Sequence, residues 1–474
     1  MSSANETYHW VAELCHFSPR IPGTRNMDRA TEYIMKKLQE FNLEVWTEPI
    51  NFRGVFYRDW QFKILSPDEK IVISFPQVYV GHGRVETELL DVGKGLEEDY
   101  QGKDVKDKIV LVDWGSWFKD QESACALGLR YPQLVTYDVA WRHGAAALVG
   151  YVTDSPGNSL RILEPGINPD GGSNTRGPCE VGPDRRILLP ALIIGKKDAE
   201  HLKDLLRKSR VKARVFIDGT RKISTIRNIM ARLPGKTDDV IFLASHYDGA
   251  FVDALITAGA AGAIAIAKHF SQIELKYRPK TMVFMFESAH EWINCNIPGL
   301  IFIKNHSELV PKISACVWLD FITDKTVSRW LSAPRSLEPI VSDTLKRNGR
   351  KVISFRGEHS EEYTSCTMGV LNRQAIPAIS CSATAVELLH TTEDTLDKMS
   401  PSQLQKDVNV FIELVEKLQH ISVMRLKPEE IPKLGCGVLF TESDTPDYPN
   451  GESYVPEVAP PLYVGGKDRS VRIL

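Results

Sequence analysis

Four short stretches carry imidazoles and carboxylates at the ends of apolar runs: Ser245-His246-Tyr247-Asp248, His290-Glu291, Leu319-Asp320 and His390-Thr391-Thr392-Glu393-Asp394. Zinc takes nitrogen and oxygen donors of this kind when it keeps a position open for water, typically with about three protein ligands. A closed structural zinc site would show paired cysteines instead. A lone His-x-Asp says little, because a histidine at a strand end is commonly a hydrogen-bonded structural residue. Three further strand-end stretches of the same chemistry turn it into a candidate site.

These residues need elements to position them, and the sequence supplies an alternation of strands and helices. Val240 to Ser245 is continuously apolar, as expected of a strand buried on both faces. The apolar patterns predict a helix over Ala258 to Phe270 and strands over Thr281–Phe286, Ala315–Leu319 and Ala378–Cys381. An amphipathic helix is expected around Ala30 to Phe41, with Asp28 and Thr31 near its start, followed by a strand over Leu43 to Ile50. The fold class is therefore α/β, a mixed and mostly parallel sheet with helices on both faces. In such sheets ligands collect at the carboxyl ends of the strands, where each candidate donor falls.

Domain organisation follows from changes in pattern. Residues 1–60 and 221–425 form the expected α/β domain. Residues 61–220 read as an inserted β-rich domain of short runs separated by Gly, Asp and Pro, and 426–474 as an irregular C-terminal extension. The turn-rich Phe17-Ser18-Pro19-Arg20-Ile21-Pro22-Gly23-Thr24 is expected to be a structural loop.

Composition limits the function classes. The 474 residues are 43% hydrophobic and 25% charged, and 58 basic against 61 acidic side chains give a net charge of −3, so neither nucleic acid nor an anionic membrane is an expected partner. Met1 to Trp10 lacks the apolar core of a signal peptide and no stretch approaches a membrane span, which makes the expectation cytoplasmic. The eight cysteines (Cys15, Cys125, Cys179, Cys295, Cys316, Cys366, Cys381, Cys436) are scattered without a Cys-x-x-Cys pair, as buried thiols of a reducing compartment would be.

With its ligand-type residues in this order, the chain resembles the co-catalytic zinc aminopeptidases of clan MH, a group that includes bacterial leucyl aminopeptidases, carboxypeptidase Q and glutamate carboxypeptidase. The resemblance covers roughly residues 8 to 420. The runs Asp107–Val112, His143–Val149 and Leu189–Ile194 resemble the protease-associated domain that several such exopeptidases carry as an insertion. The resemblance implies that His246 and Asp320 hold one metal and that Glu291 and His390 hold the other. Asp248 would orient His246.

Two departures stand beside the matches. Where the family has Glu-Glu, a general base followed by a ligand, this chain has His290-Glu291. His290, with an ordinary pKa of about 6.5, or Glu287 three residues earlier, is the candidate base. The aspartate that bridges the two metals in the family is also displaced. An ungapped register puts Ile256-Thr257-Ala258-Gly259-Ala260 there, and a shorter loop lets Asp253 bridge, the other role of Asp253 being a helix N-cap. Without a bridging carboxylate a single metal is expected, since two dications would repel with little compensation. Tyr363 and Glu362, ahead of the Ile376-Pro377 turn, are candidate substrate-binding residues.

The resemblance implies a metal-dependent hydrolase of the aminopeptidase type acting on a peptide or small amide, with one or two Zn ions, and Fe, Mn or Co as metals that such donors also accept. Two alternatives stay open. One is a mononuclear metal enzyme on a small non-peptide substrate, as in the related glutaminyl cyclases; the other is a non-catalytic binding protein, as in the related transferrin receptor. Relatives are often dimers, so the resemblance admits a homodimer.

Overall fold

The computed structural model describes residues 4–77, 80–115, 132–162, 189–292, 297–320, 322, 328–333, 337–354, 366–372, 374–383, 388–422 and 437–442. The chain divides into two compact units: Met1–Ile50 with Thr225–Val386 and Asp394–Pro461, and Asn51–Ser224 with Glu387–Glu393 and Leu462–Leu474. Two long strands, Glu44–Ser66 and Val211–Leu233, each contribute to both units.

The first unit is built on four parallel strands, Lys280–Glu287, Thr237–His246, Ile313–Leu319 and Ala378–Ala383, adjacent in that order. Thr237–His246 begins with three exposed residues and is then buried to its end, and Lys280–Glu287 is buried throughout. Their apolar runs accordingly occupy the middle of the sheet, covered on both faces. Antiparallel strands flank this group. Residues 229–233 of Val211–Leu233 pair with Lys280–Glu287, and Ser328–Ala333 pairs with Ala378–Ala383. Phe242, Ala244, Val283, Met285, Cys316 and Trp318 from three central strands join one apolar cluster with Phe302.

The C-terminal extension corrects the expectation of irregularity. Gly437–Glu442 is a strand, paired antiparallel with Ser328–Ala333 on one side and Lys351–Ser354 on the other. The run Gly-Val-Leu-Phe-Thr-Glu is too short to show periodicity, and its backbone hydrogen bonds go to partners distant in sequence.

Helices position the loops at the carboxyl ends of the strands. Ala254–Ser271 is almost wholly buried and rich in Ala and Gly, so the backbone beneath it comes very close. A Cβ on Gly259 would fall 2.3 Å from the Asp320 carbonyl oxygen and 2.7 Å from that of Leu319. Ala4–His16, which the sequence patterns did not reveal, packs against this helix. Arg25–Glu40 starts earlier than expected, because the Thr24 hydroxyl caps it by accepting the Met27 N–H.

The second unit also centres on parallel strands, Gly83–Asp91, Ile109–Asp113, Ala147–Tyr151 and Ala191–Ile194. Antiparallel partners close the two sides, residues 211–217 of Val211–Leu233 and Ser74–Pro76. Its helices Pro132–Arg142 and Lys196–Lys208 make it α/β rather than only β-rich.

Candidate metal centre

The parallel strands of the first unit end at a common edge, and the site gathers there. His246 closes Thr237–His246, Glu287 closes Lys280–Glu287, and Asp320 directly follows Ile313–Leu319. Register pairs Glu287 with His246, so these two strand ends lie side by side.

His246 is fully buried and its two ring nitrogens have different partners. Nδ1 lies 3.2 Å from Asp248 Oδ1, while Nε2 lies 3.3 Å from Asp320 Oδ1 and 3.7 Å from Glu291 Oε1. Asp248 is also fully buried and uses its second oxygen to accept the Glu291 N–H at 2.7 Å. One carboxylate thus fixes both the ring of His246 and the backbone that presents Glu291. Burial and the charge of His290 push the His246 imidazole down. Hydrogen bonds to Asp248 and Asp320 and the charge of Glu291 outweigh them and hold it at about 9.

His290 forms a second imidazole–carboxylate pair. Its Nδ1 lies 3.3 Å from Glu287 Oε2, and Glu287 is fully buried. Burial raises the Glu287 carboxyl above its ordinary range, an effect His290 partly offsets. The His246 and His290 rings stack with centroids 4.1 Å apart and planes 15° from parallel, and Trp318 lies 5.4 Å from His290 at 22°. Donor atoms of His246, His290 and Glu291 all lie within 4.8 Å of one another. Two imidazoles and a carboxylate suit a borderline dication such as zinc, and the two carboxylates near Nε2 of His246 call for positive charge between them. The donor set therefore fits a metal ion.

Six sequence-derived candidates, His246, Asp248, Glu287, His290, Glu291 and Asp320, are brought together here. Asp253 stands at the N-cap position of Ala254–Ser271 with a left-handed backbone (φ 49°), and makes no side-chain cap. Its Oδ2 instead accepts the Phe251 N–H at 2.7 Å. The capping acceptor is Asp394, whose two oxygens lie 3.0 and 3.2 Å from the Leu255 nitrogen. His390 belongs to the segment Glu387–Glu393 of the second unit, where its carbonyl accepts the Ile162 N–H at 2.9 Å. Tyr363 and Glu362 lie outside the described residues.

Sequence reasoning missed three supporting residues. Arg20 is fully buried; its guanidinium donates to the Tyr247, Val252 and Leu14 carbonyls, to Ser18 Oγ and to Thr257 Oγ1. Backbone bonds between Arg20 and Gly249 add to this clamp on the loop after His246. Asn228 Oδ1 accepts from the Ser288 N–H and hydroxyl, each at 3.2 Å, and so holds the turn that carries His290 and Glu291. Trp318 backs the stacked imidazoles. An arginine inside the Pro- and Gly-rich stretch was a usable signal for the first; nothing local marks the other two.

Residues 228–415 match Peptidase family M28. Among solved structures, the chain is similar to a peptidase M28 precursor from Shewanella amazonensis at 19% identity and a TM-score of 0.68, covering 89% of this chain and 94% of that one. It is also similar to BSAP, a zinc aminopeptidase from Bacillus subtilis, at 16% identity and a TM-score of 0.63, covering 91% and 98%. A third similar structure is an aminopeptidase from Aneurinibacillus sp. strain AM-1, at 20% identity and a TM-score of 0.55, covering 88% and 93%. At these identities the likeness establishes the fold, a mixed α/β sheet of the kind seen in these enzymes. No curated protein matches the chain.

Proposed function

We propose that the chain is a metal-dependent hydrolase of the aminopeptidase type, cleaving an N-terminal peptide bond or a small amide. The observation that carries this reading is His246, held through Nδ1 by a buried carboxylate and aimed through Nε2 at Asp320 and Glu291. The match of residues 228–415 to Peptidase family M28 supports it, as does the fold shared with proteins named as an aminopeptidase and a zinc aminopeptidase.

A divalent ion at these donors supplies Lewis acidity, drawing electrons from a carbonyl and making water more acidic. The chain's own residues do the rest. With an ion bound, Asp248 would keep the proton of His246 on Nδ1 and leave the Nε2 lone pair to the metal. By holding the Glu291 N–H, Asp248 also sets where that carboxylate points. Glu287 is fully buried and pairs with His290, whose side chain is 11% exposed. His290 is therefore the group of this pair that faces the substrate side. A histidine where a glutamate base is expected favours a second reading, a mononuclear metal enzyme acting on a small non-peptide substrate. The scattered cysteines make a cytoplasmic setting the proposal for location.

The test is a panel of aminoacyl 4-nitroanilides assayed with wild type, His246→Ala and Asp320→Asn. Wild type is expected to turn over at least one anilide, and both variants to lose about a hundredfold or more while keeping their circular dichroism. Equal activity in all three would remove the site from the reaction.

A further inference from the structure

We propose that His290 is a metal ligand rather than a general base, and that His246, His290 and Glu291 together hold a single divalent ion. The inference rests on the metal-site reading above and assigns the residue that reading left with two roles.

Three observations point the same way. First, the donor atoms of the three residues lie within 4.8 Å of one another. One ion at about 2.0–2.3 Å from each donor needs tetrahedral donors about 3.3–3.8 Å apart, so binding draws these side chains together by up to about an ångström. A base has to stand off the ion by a water molecule. Second, the two histidines are supported alike. Each has Nδ1 facing a fully buried carboxylate, Asp248 at 3.2 Å and Glu287 at 3.3 Å, the arrangement that assigns Nε2 of each ring as the metal donor in this proposal. Carboxylate–histidine–metal triads have this form, the outer acid fixing the tautomer and raising the basicity of the donor nitrogen. Third, among the described residues Glu287 Oε1 makes no hydrogen bond within normal distance, Thr367 being the other side chain that favours its charge. A buried carboxylate supported on one oxygen is costly, and an imidazole polarised by a cation gives that oxygen's twin a stronger donor than a neutral ring does.

Stacking completes the argument. With rings 4.1 Å apart and backed by Trp318, the two imidazoles are held as a pair. Two imidazoles and one carboxylate form a donor set for Zn²⁺, Fe²⁺ or Co²⁺.

The experiment is calorimetric titration of Zn²⁺ into the chelator-stripped full chain, beside visible spectroscopy with Co²⁺. Wild type is expected to take one equivalent, Glu287→Gln one equivalent about 10–100-fold more weakly, and His290→Gln to lose about a hundredfold or more. In His290→Cys, cobalt is expected to produce a thiolate charge-transfer band that wild type lacks, a gained signal that unfolding cannot mimic. Unchanged zinc affinity in His290→Gln, two equivalents in wild type, or cobalt bound by His290→Cys without a thiolate band would overturn the assignment. One His290-dependent equivalent with no anilide turnover would uphold it and remove the hydrolase reading, whereas no metal bound by wild type would end both.

Discussion

At the residue scale the site is an arrangement of paired groups, each imidazole backed by a buried acid. The imidazoles and carboxylates that gather at the strand ends were legible because few side chains suit a metal and parallel strands deliver their ends to one edge. The partner of each donor was less so. Asp248 sits two residues from His246 and was readable, whereas the Glu287–His290 pair depends on a turn whose shape is set by Asn228, a residue remote in sequence. Burial also fixes the thiols. It pushes Cys15 up to about 11 and Cys316 well above the usual thiol range. Because the thiolate is the nucleophile, iodoacetamide at pH 8 is expected to alkylate both far more slowly in the native protein than in urea. Equal rates for Cys316, read by peptide mass spectrometry, would contradict its place in the central strand.

At the element scale two contacts decide whether the site holds its shape. Arg20 offers its donors to five acceptors, three of them, Tyr247, Val252 and Thr257, in the segment after His246. Leaving a buried acceptor unmet costs about 1–3 kcal/mol. Arg20→Ala is therefore expected to destabilise the protein by at least about 3 kcal/mol, seen as a lower urea midpoint at similar slope. A change below 1 kcal/mol would show the loop to be held by something else. Gly259 tests the close approach of helix Ala254–Ser271 to Asp320. Helix propensity alone would favour Ala over Gly by about 1 kcal/mol. The added Cβ would, however, meet two backbone oxygens well inside contact distance, and neither can rotate away. Gly259→Ala should thus lower the melting temperature and weaken metal binding; a rise in melting temperature would mean that the helix stands further off. Strand positions were readable from apolar runs, since a strand covered on both faces has no polar alternation. Gly437–Glu442 was not, because a six-residue run paired with strands distant in sequence leaves no local periodicity.

For the whole molecule, alternating strands and helices gave the fold class, and the two compact units give the chain its organisation. Their bounds cut through two continuous strands, Glu44–Ser66 and Val211–Leu233, where the sequence shows no linker to mark the change. The helix Ala254–Ser271 is apolar enough to cross a membrane by length and composition, and is largely buried inside the protein. Its hydrophobicity therefore belongs to the core that carries the site. The central claim, that this core presents a metal ion for hydrolysis, is tested most directly by stripping the full chain with a chelator and following aminoacyl anilide turnover as zinc is returned. Activity lost on stripping and restored in proportion to the zinc bound is the expected result; turnover that survives complete metal removal would contradict it.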